Sequence, residues 1–307
     1  MEFGCHLPII GNTATRENIV RFAQRMEALG YDSVWVRDHV VLPWTSESQY
    51  PYTHISPSGQ YPVAPGENLL EPLTTLALVA GVTEQIRLGT TVLVLPHRHP
   101  VLAAKMVATL DHLSNGRVIL GVGVGWLREE ITLFGVPYGR RGQWSDEAIQ
   151  VMRICWSQAR AAHHGTFFDF DELGCFPQPV RQAVPIWIAG NSARAIRRAA
   201  ELGDGWHPAF GSVAELRDGL EQLGSECARV GRRLEDVAIT LRAVLSVRPE
   251  PSSPRQPLQG TPEEIIADLQ QYRALGVQTL VLQGADEDFE ATVSLYETFA
   301  REIRPFI

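Results

Sequence analysis

The sequence predicts an α/β fold, a TIM (β/α)8 barrel with extended βα loops, and three observations carry that prediction. Eight strand candidates alternate with helices along the chain, as in a barrel of parallel strands joined by helices. The longer loops mostly follow strands, on the side where barrel enzymes carry their sites. Three helices end in Leu-Gly directly before a strand, at Gly30, Gly203 and Gly276, where we expect glycine to take the left-handed C-cap.

A doubly wound open sheet is the alternative arrangement of such elements. It would need a dinucleotide fingerprint of the form G-x-G-x-x-G. The glycines at 121, 123 and 125 are instead spaced G-x-G-x-G and lie in the middle of the chain. The barrel is therefore the better prediction.

The strands are predicted from short apolar runs bounded by turn residues. Residues 33–36 are typical, because they are β-branched and aromatic and follow a helix-ending glycine. The nearly continuous apolar run 117–123 indicates a parallel strand covered on both faces. The predicted strands are 2–7, 33–36, 86–95, 117–123, 185–189, 205–207, 237–247 and 277–282.

The helices are predicted from helical periodicity and from capping signals. Apolar residues recur on one face of 15–29, for example. Ser212 with Glu215, and Thr261 with Glu264, have the spacing of capping boxes that open helices. The predicted helices are 15–29, 69–82, 101–113, 126–134, 144–157, 192–202, 212–230, 261–275 and 289–303.

We expect residues 1–307 to form a single domain with two insertions in its loops. The segment 40–67 contains five prolines among serines and tyrosines, and it is too long for a bare connection. It is predicted to be an active-site loop insertion. The polar and aromatic segment 163–178 is predicted to be a second insertion.

The composition argues against several kinds of partner and chemistry. A formal net charge of −8 disfavours nucleic acid or an anionic membrane as a partner. No apolar run reaches the roughly 18 residues of a membrane span. Four scattered cysteines without paired metal-ligand spacing are typical of a reduced, cytoplasmic protein. The only lysine, Lys105, falls in a predicted helix, which argues against Schiff-base chemistry at a strand end.

Several residues lie at the C-terminal ends of predicted strands and would meet at the C-terminal mouth of the barrel. They are His6, Asp38, His39, Thr91, Val92, Gly123, Val124, Gly125, Gly190, Asn191, Ser192 and His207. The glycine run would let the backbone approach a flat ligand closely, or would ease a tight corner. Residues 190–192 open a helix whose free N–H groups suit a phosphate, or simply cap it. Asp38 and His39 are catalytic candidates, or else a turn cap and a packing residue.

A metal site is the competing interpretation of this mouth. His97 and His99 form a His-x-His pair at a strand end, a pattern that metal-dependent barrel hydrolases use. Only His207 is well placed as a further ligand, and we find no acid partner on the seventh or eighth strand. We therefore predict no metal and expect His97 or His99 to line the pocket or to cap the helix after Pro100.

Four segments together resemble one family. They are GYDSVWVRDH at 30–39, IRLGTTV at 86–92, GRVILGVGVGW at 116–126 and PIWIAGNS at 185–192. Nearly the whole chain is similar to the luciferase-like monooxygenase superfamily, and within it to the F420-dependent oxidoreductase branch. The resemblance implies a TIM barrel that forms a homodimer and binds the deazaflavin F420, or alternatively FMN, across its C-terminal mouth.

The resemblance also implies roles for individual residues. Asp38 and His39 match the catalytic acid–histidine pair beside the cofactor ring, where His39 handles a proton as hydride moves to or from ring carbon C5. Trp44 resembles a ring-contacting tryptophan, and Thr91–Val92 matches the site of a non-proline cis peptide behind the ring. Residues 190–192 match the region that receives the cofactor phosphate. The implied cofactor-binding set is Asp38, Trp44, Thr91, Val92, Gly123, Val124, Gly125, Gly190, Asn191 and Ser192.

One departure from the resemblance bears on the substrate. Sugar-oxidising relatives place a glutamate where this chain has Trp126, and such an acid would donate a proton. Its loss argues against the sugar-phosphate dehydrogenase reaction. Glu129 and Glu130 lie one turn further on and would substitute only if the helix began differently than expected.

We therefore predict an F420-dependent oxidoreductase that transfers a hydride between deazaflavin C5 and a small organic substrate. An FMN-dependent monooxygenase that uses reduced flavin and oxygen is the alternative. A metal-dependent barrel hydrolase is a lesser alternative.

Overall fold

The computed structural model describes residues 1–52, 56, 58–209, 212–251, 253–284 and 288–307. Residues 53–55 and 57 of the predicted 40–67 insertion lie outside this part. The described strands are β1 (Glu2–His6), β2 (Ser33–Val36), β3 (Arg87–Val94), β4 (Val118–Gly123), β5 (Ala161–His164), β6 (Asp169–Leu173), β7 (Ile186–Ala189), β8 (Gly205–His207), β9 (Ala238–Val244), β10 (Ser246–Val247), β11 (Gln259–Gly260) and β12 (Thr279–Gln283).

The α-helices connect these strands and cover the outside of the sheet. They are α1 (Arg16–Ala28), α2 (Pro72–Ala80), α3 (Pro100–Leu113), α4 (Arg128–Leu133), α5 (Arg141–Ser157), α6 (Ala193–Leu202), α7 (Val213–Arg229), α8 (Pro262–Ala274) and α9 (Phe289–Thr298). None of the described helices is long and apolar enough to cross a membrane.

Eight of the strands close into a parallel barrel in the order β1–β12–β9–β8–β7–β4–β3–β2. The first strand pairs with both of its neighbours, so that Gly4 lies opposite Ser33 on one side and Val281 on the other. The predicted TIM barrel is confirmed. The C-termini of the eight barrel strands therefore point to one end of the molecule, where a barrel carries its site.

Local signals explain where several helices begin and end. Thr261 and Glu264 form the predicted capping box, with reciprocal hydrogen bonds of 3.4 and 2.9 Å to each other's backbone N–H. Gly30 (φ 74°) and Gly276 (φ 84°) adopt the expected left-handed conformation. Gly203 does not, because the chain leaves α6 in extended backbone at φ −89°. A Cβ at Gly203 would instead lie 2.8 Å from Ile188 Cγ1, so close packing accounts for this glycine.

The barrel interior is built around one tryptophan. Trp35 is fully buried and stacks on Trp187 with 5.2 Å between ring centroids. Ile119 and Val281 complete this inner cluster. The cluster closes the barrel below the mouth and so forms the base on which the site is built.

Two predicted segments differ from the structure, and a third has strands that were not predicted. This third segment is the predicted insertion 163–178, which overlaps an antiparallel hairpin of β5 and β6. The predicted strand 237–247 divides into β9, which belongs to the barrel, and β10, which pairs with β11 instead. The predicted closing helix ends as α9 at Thr298 and continues as a π-helix over Phe299–Ile303.

Candidate active site

A cavity of about 950 Å³ opens at the C-terminal mouth of the barrel. Its walls come from the ends of β2, β3, β4, β7, β8 and β9 and from parts of α5 and α6. The predicted residues that line it are Asp38, His39, Thr91, Val92, Gly123, Val124, Gly125, Gly190, Asn191, Ser192 and His207. Its size suits one organic ligand or cofactor of ordinary dimensions.

Asp38 ties the end of β2 to the end of β3. Its buried carboxylate accepts hydrogen bonds from the backbone N–H of Val94 at 2.9 Å and from Arg98 at 2.6 and 3.0 Å. Burial raises the pKa of Asp38, but the neighbouring His97 and the hydrogen bonds and charge of Arg98 outweigh burial and hold that pKa below its ordinary value. Asp38 is therefore an ionised carboxylate whose two oxygens are both engaged, which suits it to positioning rather than to proton transfer.

His39 is held by a second buried carboxylate, that of Glu130. His39 Nδ1 lies 2.7 Å from Glu130 Oε2. Glu130 Oε1 accepts hydrogen bonds from the backbone N–H groups of Val40 and Val41 at 2.6 and 3.1 Å. A carboxylate accepts hydrogen bonds, so Nδ1 carries the proton and Nε2 is the ring nitrogen that can exchange a proton with a bound molecule.

Sequence reasoning missed this use of Glu130. The predicted helix 126–134 begins two residues late, as α4 at Arg128, so Glu130 falls in its first turn and faces the turn after β2. The sequence feature that could have indicated Glu130 is a pair of glutamates beside a helix start, where acidic residues interact favourably with the helix dipole. The neighbouring Glu129 faces elsewhere and accepts a hydrogen bond from Ser48 Oγ at 2.7 Å.

An aromatic wall stands beside His39. The His39 ring lies 4.6 Å from the ring of Tyr61 and 5.9 Å from that of Trp126. Tyr50 contacts both of these rings, at 5.3 and 5.4 Å. Trp44, predicted to contact the cofactor ring, does not belong to this wall, since its side chain is 82% exposed and lies outside the cavity lining. The rings beside His39 are instead those of Tyr50, Tyr61 and Trp126.

The Thr91–Val92 peptide bond is cis, as the resemblance implied. Thr91 Oγ1 lies 2.9 Å from His207 Nε2, and His207 Nδ1 lies 2.7 Å from Thr240 Oγ1. Thr240 donates its own proton to the carbonyl of Trp206, so His207 donates from Nδ1 and accepts at Nε2. Burial, helped by the charge of Arg242, lowers the pKa of His207 to about 3. His207 is therefore a neutral support of the cavity wall.

The glycine run and the start of α6 both show their ordinary structural uses. Gly125 has φ 74°, as a tight corner requires. A Cβ at Gly123 would lie 2.7 Å from Val92 Cγ2, so only glycine fits there beside the cis peptide. Ser192 caps α6 by accepting the Ala195 N–H at 3.3 Å, and Asn191 bonds the backbone of a neighbouring loop. These residues still line the cavity.

His97 and His99 have separate structural roles and do not form a shared metal site among the described residues. His97 is buried between two carboxylates, with Nε2 3.3 Å from Glu130 Oε2 and Nδ1 3.7 Å from Asp38 Oδ2. His99 caps α3 by accepting the Val101 N–H at 3.3 Å, as predicted. Within the described ranges, no group of three or more His, Cys, Asp or Glu side chains is arranged to hold a metal ion.

Comparison with known proteins identifies the family. The family model of luciferase-like monooxygenases matches residues 1–259. The chain belongs to this family. A barrel with this mouth is accordingly the scaffold of a luciferase-like oxidoreductase, and this protein is an enzyme of that kind.

Individual relatives refine the comparison. An uncharacterised protein of Mycobacterium tuberculosis strain H37Rv is 36% identical over 197 residues, which are 64% of this chain and 67% of the relative. An F420-dependent glucose-6-phosphate dehydrogenase of Amycolatopsis mediterranei strain U-32 is 32% identical over 235 residues, 75% of this chain and 65% of that enzyme. The chain thus matches about two thirds of the length of these curated relatives.

Solved structures of low sequence identity share the fold. An F420-dependent secondary alcohol dehydrogenase bound to an F420–acetone adduct matches with a TM-score of 0.79 and 17% identity, over 100% of this chain and 99% of that one. The monooxygenase RslO1 of Streptomyces bottropensis matches with a TM-score of 0.79 and 21% identity, over 99% of each chain.

Proposed function

We propose that this luciferase-like protein is an F420-dependent oxidoreductase that transfers a hydride between deazaflavin C5 and a small organic substrate. The observation that carries the proposal is His39, oriented by a buried carboxylate and facing a cavity of suitable size. The identity of 32% to an F420-dependent dehydrogenase supports the choice of cofactor.

The residues at the mouth fit such a cofactor. Arg194 and Arg198 line the cavity beside the N-terminus of α6, where N–H groups and positive charge favour a phosphate. Gly190 has φ 113°, and a Cβ there would lie 3.0 Å from the Ala195 Cβ, so the backbone alone borders the cavity at this point. Thr91–Val92 would border the ring. When bound, F420 supplies or accepts a hydride at its carbon C5.

The reaction also requires the protein to transfer one proton to or from the substrate. A substrate that gains or loses a hydride at carbon also gains or loses one proton at a neighbouring heteroatom. Nε2 of His39 is placed to supply or accept that proton, because Glu130 keeps Nδ1 protonated and the ring fixed. His39 is buried, and the rings of Tyr61 and Trp126 lie beside its imidazole.

A sugar phosphate is not the proposed substrate. The family resemblance implies an acid in sugar-oxidising relatives where this chain has Trp126. The nearby Glu130 faces His39 and is not among the residues that line the cavity. Glu129 is engaged with Ser48. Neither Glu129 nor Glu130 therefore takes the place of that proton donor.

The test has two stages. Titration of the purified protein with F420 and with FMN should show binding of F420; tight binding of FMN with none of F420 would instead favour the reduced-flavin monooxygenase. His39→Ala should then lower turnover at least about tenfold while cofactor affinity is kept. His164→Ala is the matched control, because His164 also pairs with a carboxylate, that of Asp169 at 2.7 Å, but is exposed and outside the cavity. Unchanged turnover in His39→Ala would remove His39 from the mechanism.

A further inference from the structure

His97 has no role in the proposed function, although it lies directly behind the residues that carry that function. It ends the 3₁₀ turn Leu95–His97 that follows β3. Residues near it on both sides bind Asp38, the backbone N–H of Val94 at 2.9 Å and the guanidinium of Arg98 at 2.6 Å. The turn after β3 is therefore held against the turn after β2, and the His97 side chain between them is only 1% exposed.

A buried carboxylate faces each nitrogen of the His97 ring. Nε2 lies 3.3 Å from Glu130 Oε2, and Nδ1 lies 3.7 Å from Asp38 Oδ2. Nδ1 is buried and has no hydrogen-bond partner within the described residues. A neutral imidazole has a proton on one nitrogen and a lone pair on the other, so either neutral tautomer would turn a lone pair toward a carboxylate oxygen. Only the doubly protonated ring offers a donor at both ends, and opposite charges within about 4–6 Å favour that form.

The other charged groups around this turn have partners of their own. Arg98, the next residue, pairs with Asp38 and with Glu71. Two helices, α4 and α5, pack against the turn, and from them Glu130 faces His97. Their remaining charged side chains contact other groups; these side chains are Arg128, Glu129, Arg141, Asp146, Glu147 and Arg153. The charged or titratable groups that face His97 in the described part of the chain are thus Asp38, His39, Arg98 and Glu130.

Glu130 connects His97 to His39. Its Oε2 lies 2.7 Å from His39 Nδ1 and 3.3 Å from His97 Nε2, and the centroids of the two imidazole rings are 6.5 Å apart. A carboxylate alone favours an additional proton on a neighbouring imidazole, and a positive charge on the other side of that carboxylate opposes the effect.

His39 and Glu130 bind an additional proton as a pair. If His39 takes the proton, Nε2 becomes protonated directly. If Glu130 takes it, the new O–H donates to Nδ1, and the imidazole proton moves to Nε2. In both cases Nε2 can no longer accept a proton, so a positive charge on His97 would keep Nε2 free to a lower pH.

We propose that His97 is a positively charged positioning residue, protonated on both ring nitrogens at neutral pH, that acts through Glu130 to keep Nε2 of His39 free to accept a proton. The inference rests on the proposed function, because it concerns the proton transfer assigned to His39. His97 is not among the residues that line the cavity, so it acts on His39 without touching a ligand. Asp38 stabilises the charge from the far side of the ring.

The test follows the histidine side chains of the ligand-free protein by ¹⁵N NMR as a function of pH, with signals assigned from single substitutions. In the wild type at neutral pH, His97 should be protonated on both nitrogens and His39 on Nδ1 alone. His97→Phe and His97→Gln should each raise the pH midpoint at which His39 Nε2 gains a proton by at least about one unit. The Gln amide can still donate to Glu130, so this variant separates the charge from the hydrogen bond. His97→Lys restores a positive charge and should return the midpoint toward the wild-type value.

His163→Phe is the matched control. His163 Nε2 also lies 3.3 Å from a carboxylate oxygen, that of Glu147, but His163 does not line the cavity, and its loss should leave the His39 midpoint unchanged. A wild-type His97 with a single ring proton at neutral pH would overturn the proposal. So would a wild-type midpoint in folded His97→Gln, or an equal shift in His163→Phe.

The outcome is distinguishable from failure of the proposed function, because the NMR measurement needs neither cofactor nor substrate. A doubly protonated His97 and the expected shifts in a protein that does not bind F420 would support the role of His97 and reject the cofactor. Turnover with F420 in a protein whose His97 is neutral would support the cofactor and reject the role of His97.

Discussion

Replacement of Glu130 by Gln tests how the protein orients His39. The wild-type carboxylate accepts hydrogen bonds with both oxygens, from His39 Nδ1 at 2.7 Å on one side and from the Val40 and Val41 N–H groups on the other. A Gln amide has one accepting oxygen and one donating NH₂ group. One of the two sides must therefore face a donor.

The energetics decide which side that is. If NH₂ faced Val40 and Val41, two buried N–H groups would lose their acceptor, at a cost of about 1–3 kcal/mol each. If NH₂ faces His39, the imidazole can respond by moving its proton from Nδ1 to Nε2, which restores the hydrogen bond. The second arrangement is cheaper, and it leaves Nε2 unable to accept a proton. General acid–base catalysis contributes about 10²–10⁴ to a rate, so we expect turnover to fall about 100-fold.

The assay combines kinetics with a direct view of the tautomer. Steady-state turnover with F420 gives the rate loss, and ¹⁵N NMR of the histidine side chains should show His39 protonated at Nδ1 in the wild type and at Nε2 in the variant. Glu147→Gln is the matched control, because Glu147 accepts from the Phe167 and Phe168 N–H groups at 2.9 and 2.8 Å and lies 3.3 Å from His163, outside the cavity. Wild-type turnover in Glu130→Gln, or a His39 that keeps its Nδ1 proton, would refute the reasoning.

Two further predictions concern the frame around His39. Because the pKa of Asp38 is lower in the folded protein than in the unfolded chain, its contribution to stability is complete above the unfolded pKa and is lost as pH falls through the folded pKa. Denaturant unfolding should show stability falling below about pH 4, and Asp38→Asn should flatten that part of the curve while costing about 1–3 kcal/mol at pH 7, since Arg98 loses one of its two carboxylate partners and keeps Glu71. If the curve of Asp38→Asn is not flattened, groups other than Asp38 cause the loss of stability at low pH. Gly123→Ala would bring a Cβ to 2.7 Å from Val92 Cγ2, so the melting temperature and the affinity for F420 should both fall. An unchanged affinity for F420 would show that residue 123 is not part of the cofactor site.

Much of the fold was predictable because its signals are local. Apolar strand runs, capping boxes and the left-handed glycines at 30 and 276 are each confined to a few residues. The β5–β6 hairpin escaped prediction because its strands are short and polar, including His163, His164 and Asp169, and lack strand periodicity. Gly203 shows the limit of the junction rule, since tertiary packing against Ile188 selected glycine there for a different reason.

The candidate site was predictable only where a residue follows a strand directly. Asp38 and His39 do so, and the barrel brings them to one mouth. Glu130 is 91 residues from its partner His39 in the sequence. The direction of its side chain depends on where α4 begins, and α4 begins two residues later than predicted. The side-chain direction of Trp44 was not predictable from the sequence, because a long loop has no periodicity that determines which of its aromatic side chains turns inward.

Two adjacent residues of one turn at the mouth of the barrel, Asp38 and His39, have different roles. Asp38 is held from the β3 side by Arg98, and His39 is held from the α4 side by Glu130. His97 lies between the two carboxylates, 3.7 Å from one and 3.3 Å from the other. Because both carboxylates are buried and their oxygens also accept backbone N–H groups, movement of either would expose unsatisfied donors. The turn that carries His39 is therefore fixed from two directions, and the ring can change its proton at Nε2 without changing its place.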